Sequence, residues 1–184
     1  MREAYDRYSN ISILLHWLIA GLLVANVIIA IAMNSDPAWF VWHKSIGISV
    51  LLLTLVRVAW RVTHPWPRFP DTMPNWERAA SRATHIAFYV LLLAVPLLGW
   101  AAVSAGTRGT GMLFGVIQWF DLPVGKSVEL RTMFGDLHEL VVYATLALIA
   151  AHIGGALKHQ FFDEDVVFHR MLPGLKQSHQ DDEI

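Results

Sequence analysis

The chain has 184 residues, 55% hydrophobic and only 16% charged, with a mean hydropathy of +0.44, nine histidines and no cysteine. That balance excludes a disordered chain, a disulfide scaffold, cysteine-bound zinc or iron–sulfur clusters, and covalent c-type haem, which needs a C-x-x-C-H. A net charge of −1 and a pI near 6.7 argue against a nucleic-acid partner.

Four apolar spans follow in chain order. Residues 11–33 contain only Ser12, His16 and Asn26 as clearly polar members, and at about 1.5 Å per residue they are long enough to cross a hydrocarbon core. Residues 42–60 form a second span, with Lys44 near its start and Arg57 near its end. Residues 83–103 carry no charge and one internal proline, Pro96, which a membrane helix tolerates. Residues 137–157 form the fourth, with Glu139 near the entrance and His152 near the exit. Polar stretches rich in proline or glycine separate them. The expected architecture is an all-α membrane protein, a four-transmembrane-helix bundle in one domain over residues 1–184. A soluble bundle would have to bury four runs of this length in a short chain. Ala30-Ile31-Ala32 resembles a signal-peptide cleavage site, but the apolar run before it is too long for one, so the first span reads as a retained helix.

The charges set an orientation. Arg2, Arg7, Arg57, Arg61, Arg68, Arg78, Arg82, Lys158, Arg170 and Lys176 fall on one side, against Lys44, Arg108, Lys126 and Arg131 on the other. The positive-inside rule then puts both termini in the cytoplasm. Trp39, Trp42, Trp60 and Trp100 lie near span ends, where an aromatic belt sits among lipid headgroups.

A titratable side chain inside a bilayer is costly and marks function. His138 and His152 are 14 residues apart, so on a helix they share a face, about 40° apart in rotation and about 21 Å apart in depth. His16 matches His152 in depth on the cytoplasmic side, and His43 matches His138 on the outer side. Two stacked His–His pairs result, and two facing imidazoles can hold a non-covalent b-type haem. Zinc wants three or four ligands at one depth. A single intramembrane histidine can also simply hydrogen-bond a neighbouring helix. Arg57, 14 residues after His43, shares its face at the cytoplasmic depth, where a haem propionate would pair with it; the alternative is an arginine snorkelling to the headgroups. His85 opens the third span on that side as a spare ligand, a quinone or propionate contact or a helix-packing residue; because His16 and His152 match each other better in depth, it is a candidate contact behind the ligands. His64, His169 and His179 fall in connections or tails and are expected to be solvated. Nothing in the sequence singles out a catalytic residue.

His16-Trp17 in the first span, His43-Lys44-Ser-Ile-Gly47 in the second, His138-Glu139 and His152 in the fourth, and the segments His152-Ile-Gly-Gly-Ala-Leu-Lys158-His159 and Phe168-His169-Arg170-Met171-Leu172-Pro173 together resemble the bacterial cytochrome b561 family. The resemblance runs from Tyr8 to Pro173. It implies a membrane protein of the bacterial inner membrane with two haem b, passing electrons between a donor on the outer, periplasmic side and the quinone pool, ubiquinone by the family's usage. Some members are superoxide oxidases. The resemblance makes His16, His43, His138 and His152 the haem ligands and places His159 near the quinone site, with Lys158 beside it to stabilise an anionic reduced quinone. A more distant similarity, to the cytochrome b subunits of hydrogenases and formate dehydrogenases, gives the alternative of a relay or anchor subunit in a larger membrane enzyme. A haem-free four-helix transporter or assembly factor is the reading from a different class. Lys44, Arg108, Lys126 and Arg131 form a candidate positive patch that would steer an anionic donor such as superoxide, although acidic residues lie among them.

Overall fold

The computed structural model describes residues 7–33, 35–64, 67–70, 72–163 and 167–173. Four helices dominate it: α1 (Asn10–Ala32), α2 (Phe40–Thr63), α3 (Asn75–Ala105) and α4 (Val128–Phe161). Each is long and apolar enough to cross a membrane, α2 together with the 3-10 turn Pro37–Trp39 that leads into it. Ser9 begins α1 by accepting a hydrogen bond from the Ser12 N–H, and Ser127 begins α4 by accepting one from Leu130, so each satisfies an otherwise unpaired first-turn donor.

The first helix agrees closely with its span. The others are longer: α3 begins eight residues before the expected 83, and α4 nine before 137. Hydropathy registers only the apolar stretch of a helix, whereas the backbone continues through polar turns such as Asn75-Trp76-Glu77-Arg78.

Consecutive helices pack antiparallel, α1 on α2, α2 on α3 and α3 on α4. The start of α1 therefore lies with the ends of α2 and α4 at what we call the near end; Trp60 Nε1 donates to Ser9 Oγ there at 3.2 Å. The interior is thin. One cluster joins Ile19, Val50 and Leu92, and a second joins Ile48, Leu51 and Leu113. Large apolar side chains such as Leu14, Val24, Val56, Val90 and Leu140 face outward, as helices bathed in lipid require. In α4 only Thr145 is buried. That helix lies along α3, while its ring contacts to α1 and α2 are made by His152 and His138.

At the far end the connection between α3 and α4 is largely exposed but structured. It forms a small antiparallel hairpin, β1 (Met112–Leu113) with β2 (Ile117–Gln118), whose Leu113 is buried against Ile48 and Leu51 of α2. Non-helical backbone at this depth needs hydrogen-bond partners from the protein. Ser45 Oγ accepts from the Phe114 N–H at 2.7 Å and Ser104 Oγ from Leu122 at 3.0 Å. Both serines are almost fully buried. Asp121 accepts from the Thr110 N–H at 2.6 Å and pairs with Lys126 at 2.7 Å. These contacts, the Lys126 ammonium first, hold the Asp121 carboxyl down to about 2. Gly109 sits beneath that carboxylate at φ +63°, and a Cβ there would come within 2.5 Å of Asp121 Oδ2.

At the near end, residues 167–173 fold back over the helices. Trp17 Nε1 donates to the Met171 carbonyl at 2.7 Å, and Arg7 to Leu172 at 3.0 Å. Two histidines expected to be solvated are half-buried instead: His64 stacks on Trp60 at 3.7 Å and 15°, and His169 lies edge-on to Phe168. Stacking on an adjacent aromatic costs an imidazole little solvation, so a place in a connection did not imply exposure. His179 lies outside the described residues.

Candidate functional site

The helices bring the four histidines together in two pairs. At the far end the ring centres of His43 and His138 stand 6.2 Å apart at 87°. At the near end those of His16 and His152 stand 6.4 Å apart at 74°. Two imidazoles bound on opposite sides of one metal ion would have centres about 6 Å apart, given a metal–nitrogen bond of about 2 Å and a ring radius of about 1.1 Å from ordinary bond lengths. Both pairs therefore have the spacing of bis-histidine axial ligation. A small ion held by three or four convergent groups does not fit them. Among the described residues, the one group of three His, Cys, Asp or Glu side chains whose ligand atoms all lie within 4.8 Å of one another is Glu77, His159 and Asp163.

His138 also has the right tautomer. Its Nδ1–H donates to the Val95 carbonyl of α3 at 2.8 Å, which leaves the Nε2 lone pair available to a metal. The approach depends on Gly99. A Cβ there would lie 3.1 Å from both Cε1 and Nδ1 of His138, so the ring would have to give by a few tenths of an ångström to admit one. Gly99 was not singled out in the sequence, because one glycine among apolar residues carries no signal until its neighbour across the helix pair is known. On the other member of this pair, His43 is half-buried beside the Asn26 backbone of α1.

Around the near pair the surroundings are more crowded. His85 of α3 lies 6.0 Å from His152, centre to centre, and Phe88 lies 5.3 Å from it. His85 Nδ1 is bonded to the Ser81 carbonyl one turn back. Arg57 of α2 is half-buried within electrostatic reach of His16, His85 and His152, and among the described residues no carboxylate pairs with it. It lines an open, shallow cleft with Tyr8, Trp60, Arg61, His85 and Tyr89. Burial raises the Tyr8 hydroxyl above the usual phenol range, opposed by Arg61, whose guanidinium sits over the Tyr8 ring at 5.2 Å.

Lys158 and His159 lie nearby, at the end of α4. The Lys158 ammonium bonds Glu77 Oε1 at 2.9 Å and Asp163 Oδ2 at 2.6 Å. His159 Nδ1 meets the same Asp163 oxygen at 3.1 Å. A cation thus already lies among the acidic groups, which leaves little reason for a metal ion there.

Four membrane-capable helices with stacked, facing histidine pairs define a class of membrane redox proteins that hold haem without cysteine. The family model described as prokaryotic cytochrome b561 matches residues 7–174, and the chain belongs to that family. Cytochrome b561 homolog 2 of Escherichia coli (strain K12) is 32% identical over 176 residues, covering 91% of this chain and 92% of that one. Cytochrome b562 of Cereibacter sphaeroides is 30% identical, covering 90% and 94%. A Yersinia pestis protein named Probable superoxide oxidase CybB is 25% identical, covering 92% and 97%. Membrane electron transfer with haem b follows from the family.

Proposed function

We propose that the protein carries single electrons from a donor at the far, periplasmic end to a quinone at the near, cytoplasmic end of a bacterial inner membrane. The observation that carries this is the presence of two facing histidine pairs at opposite ends of α4. His43 and His138 would hold one haem b and His16 and His152 a second, with Arg57 placed for a propionate of the latter. Bound haem supplies a carrier that takes up and releases one electron at a time.

The chain's own residues supply the rest. Val95 and Gly99 fix the His138 ring and its tautomer. Exposed Arg108 and Arg131 leave positive charge at the far end, whereas Lys44 is bonded to the Thr110 carbonyl and Lys126 to Asp121. The cationic near end supports the orientation with both termini in the cytoplasm. Superoxide suits the far end as donor, in keeping with the name of the Yersinia relative. The balance is then two superoxide anions oxidised to two O2, and one quinone taking two electrons and two protons to become quinol.

The test uses purified protein loaded with haem. Enzymatically generated superoxide should reduce two b-type haems per chain, and added ubiquinone should reoxidise them and appear as quinol. Protein that stays oxidised in superoxide, yet is reduced by a co-purifying dehydrogenase, would replace this reading with that of a relay subunit.

A further inference from the structure

We infer that the hairpin between α3 and α4 is seated in lipid, with the exposed apolar face of residues 112–120 lying at the boundary between headgroups and acyl chains of the far leaflet. The partner this surface fits is the bilayer itself.

Its composition is unlike that of a connection standing in water. Residues 111–120 carry no charge, and Gln118 is their one clearly polar side chain. Met112, Phe114, Val116, Ile117 and Phe120 are nonetheless exposed, Val116 at 77%. A contiguous bare apolar patch marks a contact surface.

Depth says what covers it. The Phe114 N–H donates to Ser45 Oγ at 2.7 Å, and Ser45 lies three residues inside the apolar run that starts at Trp42. Leu113 reaches deeper, to Ile48 and Leu51, which lie about 9 and about 14 Å into that run at about 1.5 Å per residue. The hairpin is thus level with the first turns of a membrane-capable segment, where the medium beside a bundle is lipid. Trp42 of α2 meets Phe114 edge-on at 5.9 Å, and Trp100 of α3 meets Phe120 at 4.9 Å and donates to its carbonyl. The exposed face therefore continues the tryptophan belt of those two helices.

The hairpin also lies on the side of α2 and α3 away from the far histidine pair. At about 100° per residue, Ser45 and Ile48 stand about 160° and about 140° from His43 around α2. On α3, Trp100 and Ser104, which bond the hairpin, stand about 100° and about 140° from Gly99, and His138 packs on Gly99. Both helices stand between the hairpin and the two imidazoles, which rules out a far haem as its cover. Non-helical backbone against lipid must keep its polar groups paired. Met112 pairs with Gln118 and Leu113 with Ile117. The N–H groups of Phe114, Val116 and Trp119 donate to Ser45 Oγ, the Leu113 carbonyl and the Gly111 carbonyl.

The chain has no cysteine, so one introduced thiol can be labelled alone. The test uses full-length, haem-loaded protein in vesicles of phosphatidylethanolamine and phosphatidylglycerol. It compares Val116→Cys with Glu129→Cys, an exposed position at the start of α4 on the same side. A thiol among acyl chains ionises less readily, and one pKa unit slows its alkylation about tenfold. A charged, impermeant maleimide should therefore label position 116 about tenfold more slowly than position 129, or slower still. In the wild-type protein, a phospholipid carrying a photoactivated diazirine in its acyl chain should label the peptide containing residues 112–120. Equal maleimide rates overturn the proposal, because they place the hairpin in water. Slow labelling without lipid adducts overturns it too, and disulfide-linked pairs of Val116→Cys chains on mild oxidation would then give the face to a second copy.

Discussion

Replacing Gly99 with alanine tests the far-end site through a residue that packs against the His138 ring. The added methyl would lie 3.1 Å from two atoms of the His138 ring, against an ordinary carbon contact of about 3.5–4.0 Å. The ring must give by a few tenths of an ångström. Its 2.8 Å bond to Val95 would then stretch to about 3.2 Å or beyond, the outer margin for an N–H···O bond. Disturbing the hydrogen bond behind a ligating histidine costs about 10- to 100-fold in affinity. A partial loss belongs at the low end, about tenfold or about 1.4 kcal/mol. Alanine also favours a helix over glycine by about 1 kcal/mol, so thermal stability should hold while haem binding weakens, and the two readouts separate. Spectroscopic haem quantitation at limiting haem should show the far haem depleted and the near haem retained. A redox titration should show the far potential raised, because a less basic ligand favours the reduced iron. Gly99→Val should abolish far-end binding. A Gly99→Ala protein with two haems at wild-type affinity and unshifted potentials would refute the claim that this glycine seats His138.

His152→Ala should remove the near haem alone and His138→Ala the far haem alone, read from pyridine haemochrome stoichiometry; loss of the opposite haem would overturn the pairing. His85→Ala should keep two haems per chain, and loss of the near one would make His85, in place of His16, the partner of His152. Arg108→Ser should slow haem reduction by superoxide several-fold at low salt and flatten its dependence on ionic strength, measured by stopped flow; an unchanged salt slope would exclude steering by this residue. Asp121 lies well below the unfolded carboxyl value, so its stabilisation of the hairpin is present above that value and is lost as pH falls through about 2. Tryptophan fluorescence of the hairpin should therefore change on acidification between about pH 4 and pH 2 in the wild type but not in Asp121→Asn, and identical titrations would dismiss the role.

The sequence made the spans and the pairing of histidines legible because both signals are local. Apolar runs report membrane crossing, and a 14-residue interval on one helix reports a shared face. The two facing partners followed from depth alone, since four antiparallel helices leave few ways to match levels. The hairpin was not legible. Its strands are two residues long, too short for an alternating pattern, and what makes them possible is Ser45 and Ser104 on helices distant in sequence. Gly99 and Val95 escaped for the same reason: their importance exists only where α4 meets α3. The ion pairs that tie Lys158 and His159 to Glu77 and Asp163 likewise join residues remote along the chain.

The seating of Leu113 among Ile48 and Leu51 also imposes an order on biosynthesis. The hairpin is made after α3 but before α4, and its socket lies on helices already threaded into the bilayer. In the orientation proposed above, it reaches the far side before α4 is complete and then tucks back between α2 and α3. In that orientation, final closure of the far end is a late event. A substitution such as Ser45→Ala, by orphaning the Phe114 N–H, would delay that step without altering the insertion of any helix.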